Sequence, residues 1–227
     1  MTANSLTTLC ITGQSNTHLT PIQQHQLHSD IVDDFLALQQ GANAAGFELT
    51  IASSFRDFSR QALIWNNKFS GARAVFNQQQ QQVDLSSLSA IEKCVAIMLY
   101  SALPGASRHH WGTDLDVFDK AAVADDYSLQ LSPNEYQHGG PFAPLSEWLD
   151  AHLTEFGFYR PYKADLGGVA PELWHISHIK QSQLLSKLLT EQLLYDCISR
   201  SELLGKDAIL ANLPMLYQRF VTNVSPP

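Results

Sequence analysis

The elements legible in these 227 residues run helix, strand, helix, helix, strand, helix, strand and then helices, which predicts an α+β fold. Three observations carry that prediction. Apolar residues recur at helical spacing in several separate stretches, short alternating runs stand near 47–52 and 115–117, and glycine or proline marks most of the junctions.

Thr20 and Pro21 read as a helix start, Thr20 capping and Pro21 in the first helical position. Leu27, Ile31, Phe35 and Leu38 continue at helical spacing, and Gly46 can stop the helix. Phe47 to Ala52 reads as a strand that delivers Ser53-Ser54-Phe55-Arg56 at its end, and Asp57 can cap a second helix through Leu63 and Trp65. Residues 70–88 lack a pattern, and the glutamine run from Gln78 to Gln82 predicts a mobile surface loop rather than a binding device. Ser89 and Glu92 form a capping box ahead of a helix carrying Ile91, Val95, Ile97 and Leu99, which Pro104-Gly105 ends. Leu115 and Val117 alternate as a short strand, so Asp114 and Asp116 share its opposite face. Residues 119–142 form a polar excursion long enough to border a cleft. A helix follows with Leu145, Trp148, Leu149, Leu153 and Phe156 on its apolar side and Gly157 at its end. From Lys180 onward the pattern is wholly helical, through Leu184, Leu185, Leu188 and Leu189 to Phe220. Leucines at that spacing predict a core face; a partner-binding face of Leu184, Leu188 and Tyr195 is the alternative.

Composition narrows the function. Hydrophobic residues at 44% and charged residues at 16% describe a globular protein. A formal charge of −8 without a lysine or arginine cluster argues against a nucleic-acid partner. Cys10, Cys94 and Cys197 stand far apart and form no CxxC pair, as in a reducing compartment. No run approaches the about 18 apolar residues that span a membrane, and Met1 to Gly13 shows no basic patch before an apolar run. Together these predict a cytoplasmic chain without a membrane span, monomeric by default.

Two segments carry chemistry: Ser107-Arg-His-His-Trp-Gly-Thr-Asp-Leu-Asp116 and Glu172-Leu-Trp-His175. A hydrolytic zinc ion needs three protein ligands, an open position for water and a nearby base. His109 and Asp116 lie seven apart with Gly112 between them, where a glycine can make the turn that brings both to one ion. His175 would complete a His/Asp/His set and Glu172 would take the proton of the water. On a regular strand Glu172 and His175 would face opposite ways, so a twist or bulge near Pro171 is required. Spacing alone leaves His110 a rival of His109, His178 of His175 and Asp114 of Asp116.

The first segment resembles the Ser-x-His-x-x-Gly-x-x-x-Asp pattern of the zinc D-alanyl-D-alanine carboxypeptidases, the family of the vancomycin-resistance D,D-carboxypeptidases and dipeptidases, which shares a fold with the hedgehog signalling domain. Glu172, Trp174 and His175 match its Glu-x-Trp-His pattern, and Ser54-Phe-Arg56-Asp-Phe-Ser-Arg-Gln61 looks like its arginine segment. The resemblance covers about residues 25–180. It implies a small antiparallel sheet carrying the zinc site, flanked by helices, in a peptidase domain over 1–180; the helical stretch over 181–227 falls outside the resemblance and is expected as an extension packed on the same domain. It implies Zn2+ held by His109, Asp116 and His175, with Glu172 as general base and acid. Arg56 would stabilise the oxyanion or hold the substrate carboxylate, Gln61 and Ser107 would bind the peptide, and Trp174 would pack beneath the ligands. The expected activity is removal of the terminal D-alanine from peptidoglycan peptides. An L,D-carboxypeptidase or endopeptidase is the near alternative, and a non-catalytic hedgehog-like zinc module the distant one. Glu172 favours an enzyme, because a closed structural site needs no base. A cell-wall substrate makes the periplasm or cell envelope the alternative compartment. Two departures stand out: Asp114, where many members have a small residue, could orient His109 or a neighbouring group or be a solvated charge, and Phe55 and Phe58 replace tyrosines common in the family.

Overall fold

The computed structural model describes residues 3–227, with side chains from Thr7 onward, so the leader reading at Met1 and Thr2 lies outside the described residues. The chain opens with α1 (Ala3–Ile11), a helix the sequence reading missed, and a hairpin of β1 (Leu19–Ile22) and β2 (His25–His28). There follow α2 (Val32–Ala44), β3 (Leu49–Ser53), α3 (Phe58–Phe69), α4 (Ala90–Met98) and β4 (Asp114–Asp119). The order continues with α5 (Pro133–Tyr136), α6 (Ala143–His152), β5 (Phe158–Tyr159) and β6 (His175–His178). Four short helices close the chain: α7 (Ile179–Ser186), α8 (Glu191–Ser199), α9 (Lys206–Ala211) and α10 (Leu213–Leu216). Among the described residues, no helix is long and apolar enough to cross a membrane.

The second sheet has the antiparallel order β3-β4-β6-β5, which puts β4 and β6 at its centre. One face packs on α2 and α6 through Phe35, Leu38, Leu115, Val117, Leu149 and Ile176. A second core joins α3 and α4 to the C-terminal helices through Trp65, Cys94, Ile97, Leu194, Ile198 and Phe220. The site lies where the polar ends of β4 and β6 meet the start of α3.

Several local expectations hold. Asp57 caps α3 by accepting from Arg60 N at 2.7 Å, Ser89 and Glu92 form the capping box of α4, and Gly157 ends the segment after α6 at φ +79°. Others need correction. Thr20 and Pro21 lie on β1, not at a helix start; Pro21 sits on a two-stranded ribbon, where the N–H it lacks is least missed. Leu27, Ile31, Phe35 and Leu38 are all buried, but Leu27 points inward from β2 and the helix begins only at Val32. The inward residue of the hairpin happened to extend the helical spacing. On α4 the fully buried positions are Cys94, Ile97 and Met98. The C-terminal pattern is broken into four helices, with Gly205 at φ +76° and Pro214 among the breaks, and Leu184, Leu188 and Tyr195 are exposed rather than core. The glutamine run is a pinned turn: Asn77 Oδ1 accepts from Gln79 N and Gln81 N, and Phe76 bridges Gln82.

Candidate metal centre

Register builds the site. On the antiparallel pair of β4 and β6, Asp116 stands directly opposite His175 and Asp114 opposite Ser177. Opposed side chains on one face lie about 5 Å apart at Cβ, and diagonal ones remain within reach of long side chains. Asp116 therefore meets His175 directly, and Asp114, two residues earlier on the same face, reaches it diagonally. His109 arrives from a single 3-10 turn (Arg108–Trp111) closed by Gly112 at φ +69°. A Cβ on Gly112 would stand 2.5 Å from Leu19 Cδ2 and 2.8 Å from His28 N, so only glycine fits both the turn and the hairpin beside it. Glu172 precedes β6: His175 N donates to Glu172 O at 3.2 Å, and this turn, not a strand bulge, brings both side chains to one side.

His109, Asp116 and His175 offer donor atoms that all lie within 4.8 Å of one another, and all three residues are buried. His109 Nδ1 lies 2.9 Å from Ser54 O, which can only accept; Nδ1 thus carries the hydrogen and Nε2 keeps its lone pair, 3.4 Å from Asp116 Oδ2. Burial lowers the pKa of His109 and keeps the ring neutral, as ligation requires. His175 Nδ1 faces Asp116 Oδ1 at 3.1 Å and Glu172 Oε2 at 3.6 Å, while its Nε2 donates to Asp114 Oδ1 at 3.0 Å. Asp114 also accepts from Arg108 Nε at 2.7 Å and Thr113 Oγ1 at 2.7 Å. Of the alternatives for Asp114, the contacts select the neighbouring group: it orients His175, not His109, and is no solvated charge. Its burial opposes ionisation, but Arg108 and His175 outweigh this and hold its carboxyl far below the usual range. Asp116 is likewise held low by His109 and His175 against its burial. Two imidazoles and a carboxylate are a donor set that suits zinc, and each imidazole commits its other nitrogen to an acceptor, as ligating histidines do.

The rival ligands resolve by contact. His110 takes Gly105 N at Nε2 (3.0 Å) and donates from Nδ1 to Arg56 O (2.6 Å), and burial lowers its pKa to about 4. It is a neutral tie between two loops. His178 caps α7 and pairs with Asp34 at 3.0 Å, away from the centre.

A cleft of about 510 Å³ opens on the centre, bordered by Arg56, Lys68, Arg73, Glu172 and the 130–134 loop. That loop belongs to the excursion expected to border a cleft. Arg56 donates from Nη1 to Gln61 Oε1 at 2.8 Å and from Nη2 to Ser53 Oγ at 3.1 Å. Gln61 is fully buried, does not border the cleft, and anchors itself on Ala102 O at 2.6 Å, so its contacts go to Arg56. Ser107 and Trp174 border the cleft, and Trp174 packs on Tyr136 with ring centroids 5.6 Å apart. Arg108, Lys68, Arg73 and the tying role of His110 were not singled out from sequence. Arg108 and His110, inside the motif, carried a signal that could have flagged them; Lys68 and Arg73 did not.

A His/Asp/His donor set on a sheet, with a buried carboxylate beside it and a cleft above, defines a mononuclear metallohydrolase centre. Residues 24–181 match the family model VanY, D-alanyl-D-alanine carboxypeptidase. The chain belongs to that family and is a zinc metallopeptidase. Two uncharacterized proteins of Haemophilus influenzae are similar in sequence. One is 35% identical over 121 residues, covering 52% of this chain and 92% of the relative. The other is 47% identical over 103 residues, covering 43% and 70%. Among solved structures, VanYB in complex with D-alanine-D-alanine gives a TM-score of 0.54 at 19% identity, covering 83% of this chain and 92% of that one. The vancomycin resistance D,D-pentapeptidase VanY, as a glutamate-to-alanine mutant with Zn(II), gives 0.51 at 21% identity, covering 84% and 88%. The LdcB LD-carboxypeptidase gives 0.50 at 20% identity, covering 82% and 74%. These likenesses establish the fold, including its small antiparallel sheet flanked by helices.

Proposed function

We propose that this chain is a D,D-carboxypeptidase that releases the terminal D-alanine of peptidoglycan peptides, with His109, Asp116 and His175 holding zinc. The observation that carries the reading is the buried carboxylate of Glu172, 3.6 Å from His175 Nδ1 and in the same cleft as Arg56. Zinc bound to this set supplies a Lewis acid for the scissile carbonyl and lowers the pKa of water to about 7.

The chain's own groups do the rest. Burial raises the Glu172 carboxyl to about 8, with Asp116 adding to the effect and His175, Arg56 and Lys68 opposing it. A dication beside it acts in the lowering direction. Between these influences Glu172 can take a proton from the attacking water and return it to the departing amine of D-alanine. Arg56 is fixed by two neutral acceptors, Gln61 and Ser53, and keeps further N–H donors for an oxyanion or a carboxylate. Gln61 acts as a positioning residue through Arg56, and Ser107 stands at the cleft wall for the peptide backbone.

The test is mass spectrometry of products from zinc-loaded protein with defined cell-wall penta- and tetrapeptides. The expected product is free D-alanine from the pentapeptide; cleavage of the tetrapeptide alone would replace the reading with an L,D-carboxypeptidase. Glu172→Gln should keep zinc yet slow hydrolysis by about 10²–10⁴-fold. A zinc-loaded variant as fast as the parent overturns the assigned role.

A further inference from the structure

The cleft contains more positive charge than its reaction centre explains. The chain as a whole is acidic, with 22 aspartates and glutamates against 14 lysines and arginines. Yet Arg56, Lys68 and Arg73 all border one cleft, and among the described residues none of them is paired with a carboxylate. Arg56 binds Gln61 and Ser53, both neutral, and Lys68 Nζ donates to the Ser101 hydroxyl at 2.6 Å. Arg73 makes no side-chain hydrogen bond among the described residues, although its backbone N–H is tied to Asn67 O at 2.8 Å. The carboxylates nearby, Asp116 and Glu172, are those needed for the metal and the proton transfer. The cations also oppose one another: burial and then Arg73 lower the Lys68 amine to about 8, with Arg56 adding to the effect and Glu172 opposing it. Folding has placed like charges together with no carboxylate in ion-pair contact among the described residues, the pattern of a site completed by an anionic ligand.

Helical geometry separates this charge from Arg56. Gln61, which holds Arg56, and Lys68 are seven residues apart on α3, two turns or about 10 Å along one face. Arg56 is thus anchored at the first turn of α3, and Lys68 stands at its last.

We propose that Lys68 and Arg73 form a carboxylate subsite distinct from Arg56, so that the preferred substrate is a peptide with two carboxylates within reach of the cleft. This rests on the peptidase reading above. The carboxylate has two possible sources, the C-terminus of the peptide and an acidic side chain near the D-alanyl-D-alanine end.

Three pentapeptides separate the sources: one with both groups free, one amidated on the side chain, and one amidated at the C-terminus. Their binding to zinc-loaded Glu172→Gln protein is measured by calorimetry, and KM and kcat are measured with the active enzyme. The diacid is expected to bind about tenfold more tightly than the amide that lacks the recognised group. Lys68→Met should abolish that ratio and raise KM for the diacid about tenfold. Lys68→Arg should restore the ratio, and Arg73→Gln, a change at an exposed residue, should weaken it. The amide that loses affinity identifies the source. Ratios unchanged in both Lys68→Met and Arg73→Gln, or no preference in the parent, overturn the subsite. Absence of D-alanine release from every peptide would sink the carboxypeptidase reading instead, while the binding ratios still decide the subsite.

Discussion

Asp114→Asn separates two roles that one carboxylate combines. Asp114 is fully buried and accepts from Arg108, Thr113 and His175 together. Asparagine keeps the shape but removes the charge, leaving the buried Arg108 guanidinium without its counter-ion. Breaking a buried ion pair from one side costs about 3–5 kcal/mol. Arg108 keeps Ser177 Oγ at 2.7 Å and Tyr159 Oη at 3.2 Å, which places the expected loss near the lower figure, about 3 kcal/mol. For a chain of this size that lowers Tm by roughly 6–12 °C. Separately, His175 loses the charged acceptor that fixes its orientation, and removal of such a partner lowers metal affinity about 10–100-fold, or about 1.4–2.7 kcal/mol. The double variant Arg108→Gln/Asp114→Asn removes both charges, so it should recover much of the stability and none of the zinc affinity. Thermal unfolding is measured on chelator-treated protein, because bound zinc adds its own stabilisation; zinc affinity comes from competition with a chromogenic chelator. Zinc affinity within twofold of the parent in Asp114→Asn would refute the orienting role. Recovery of affinity in the double variant would show that Asp114 serves only to neutralise Arg108.

Two further outcomes follow from the same contacts. Gly112→Ala forces a Cβ to 2.5 Å from Leu19 Cδ2 and 2.8 Å from the backbone of His28 at a φ of +69°. It should cost about 1–3 kcal/mol from the conformation alone and more from the clash, and weaken zinc binding through His109; unchanged Tm and chelator titrations would contradict the fit described. In apoprotein, burial opposes a proton on His175, but Asp114 and Asp116 outweigh it and raise the pKa to about 10. Zinc must displace that proton, so apparent affinity should rise about tenfold per pH unit from pH 6 to 9, and a flat titration would count against it.

The chemistry was more legible in the sequence than the local path of the chain. His109 and Asp116, and likewise Glu172 and His175, are each brought together by a turn that acts over a few residues, within reach of motif spacing, whereas the pairing of β4 with β6 that joins the two sets was reached only through the family resemblance. The hairpin at 19–28 was hidden because Leu27, inward from a strand, stands four residues before Ile31 and so mimics a helical face. In the C-terminal region periodicity located the leucines but not the packing. Leu189, Leu194 and Ile198 are buried while Leu184 and Leu188 are exposed, a choice made by how short helices meet α3 and α4. The partner of Asp114 was illegible for a related reason. Its reach to His175 depends on which strand lies beside β4, and strand order is absent from local spacing. Lys68 and Arg73 stand 12 and 17 residues beyond Arg56; the direction of α3 carries Lys68 along the cleft, and the bend after the helix brings Arg73 to it.

The arginine block and the first histidine block act as one unit because their ties run through backbone atoms. Arg56 N donates to His109 O at 3.1 Å, His110 Nδ1 donates to Arg56 O at 2.6 Å, and His109 Nδ1 donates to Ser54 O at 2.9 Å. The arginine loop cannot move without carrying the ring of a metal ligand with it. His110 is braced in turn from the end of α1: a Cβ on Gly13 would stand 2.3 Å from its Nδ1, and Gly13 O accepts from Phe58 N at 2.8 Å at the start of α3. The separation between Arg56 and the metal is thereby set by rigid neighbours instead of by the substrate. A preset separation of this kind would suit the fixed peptide end that the proposed carboxypeptidase reading requires.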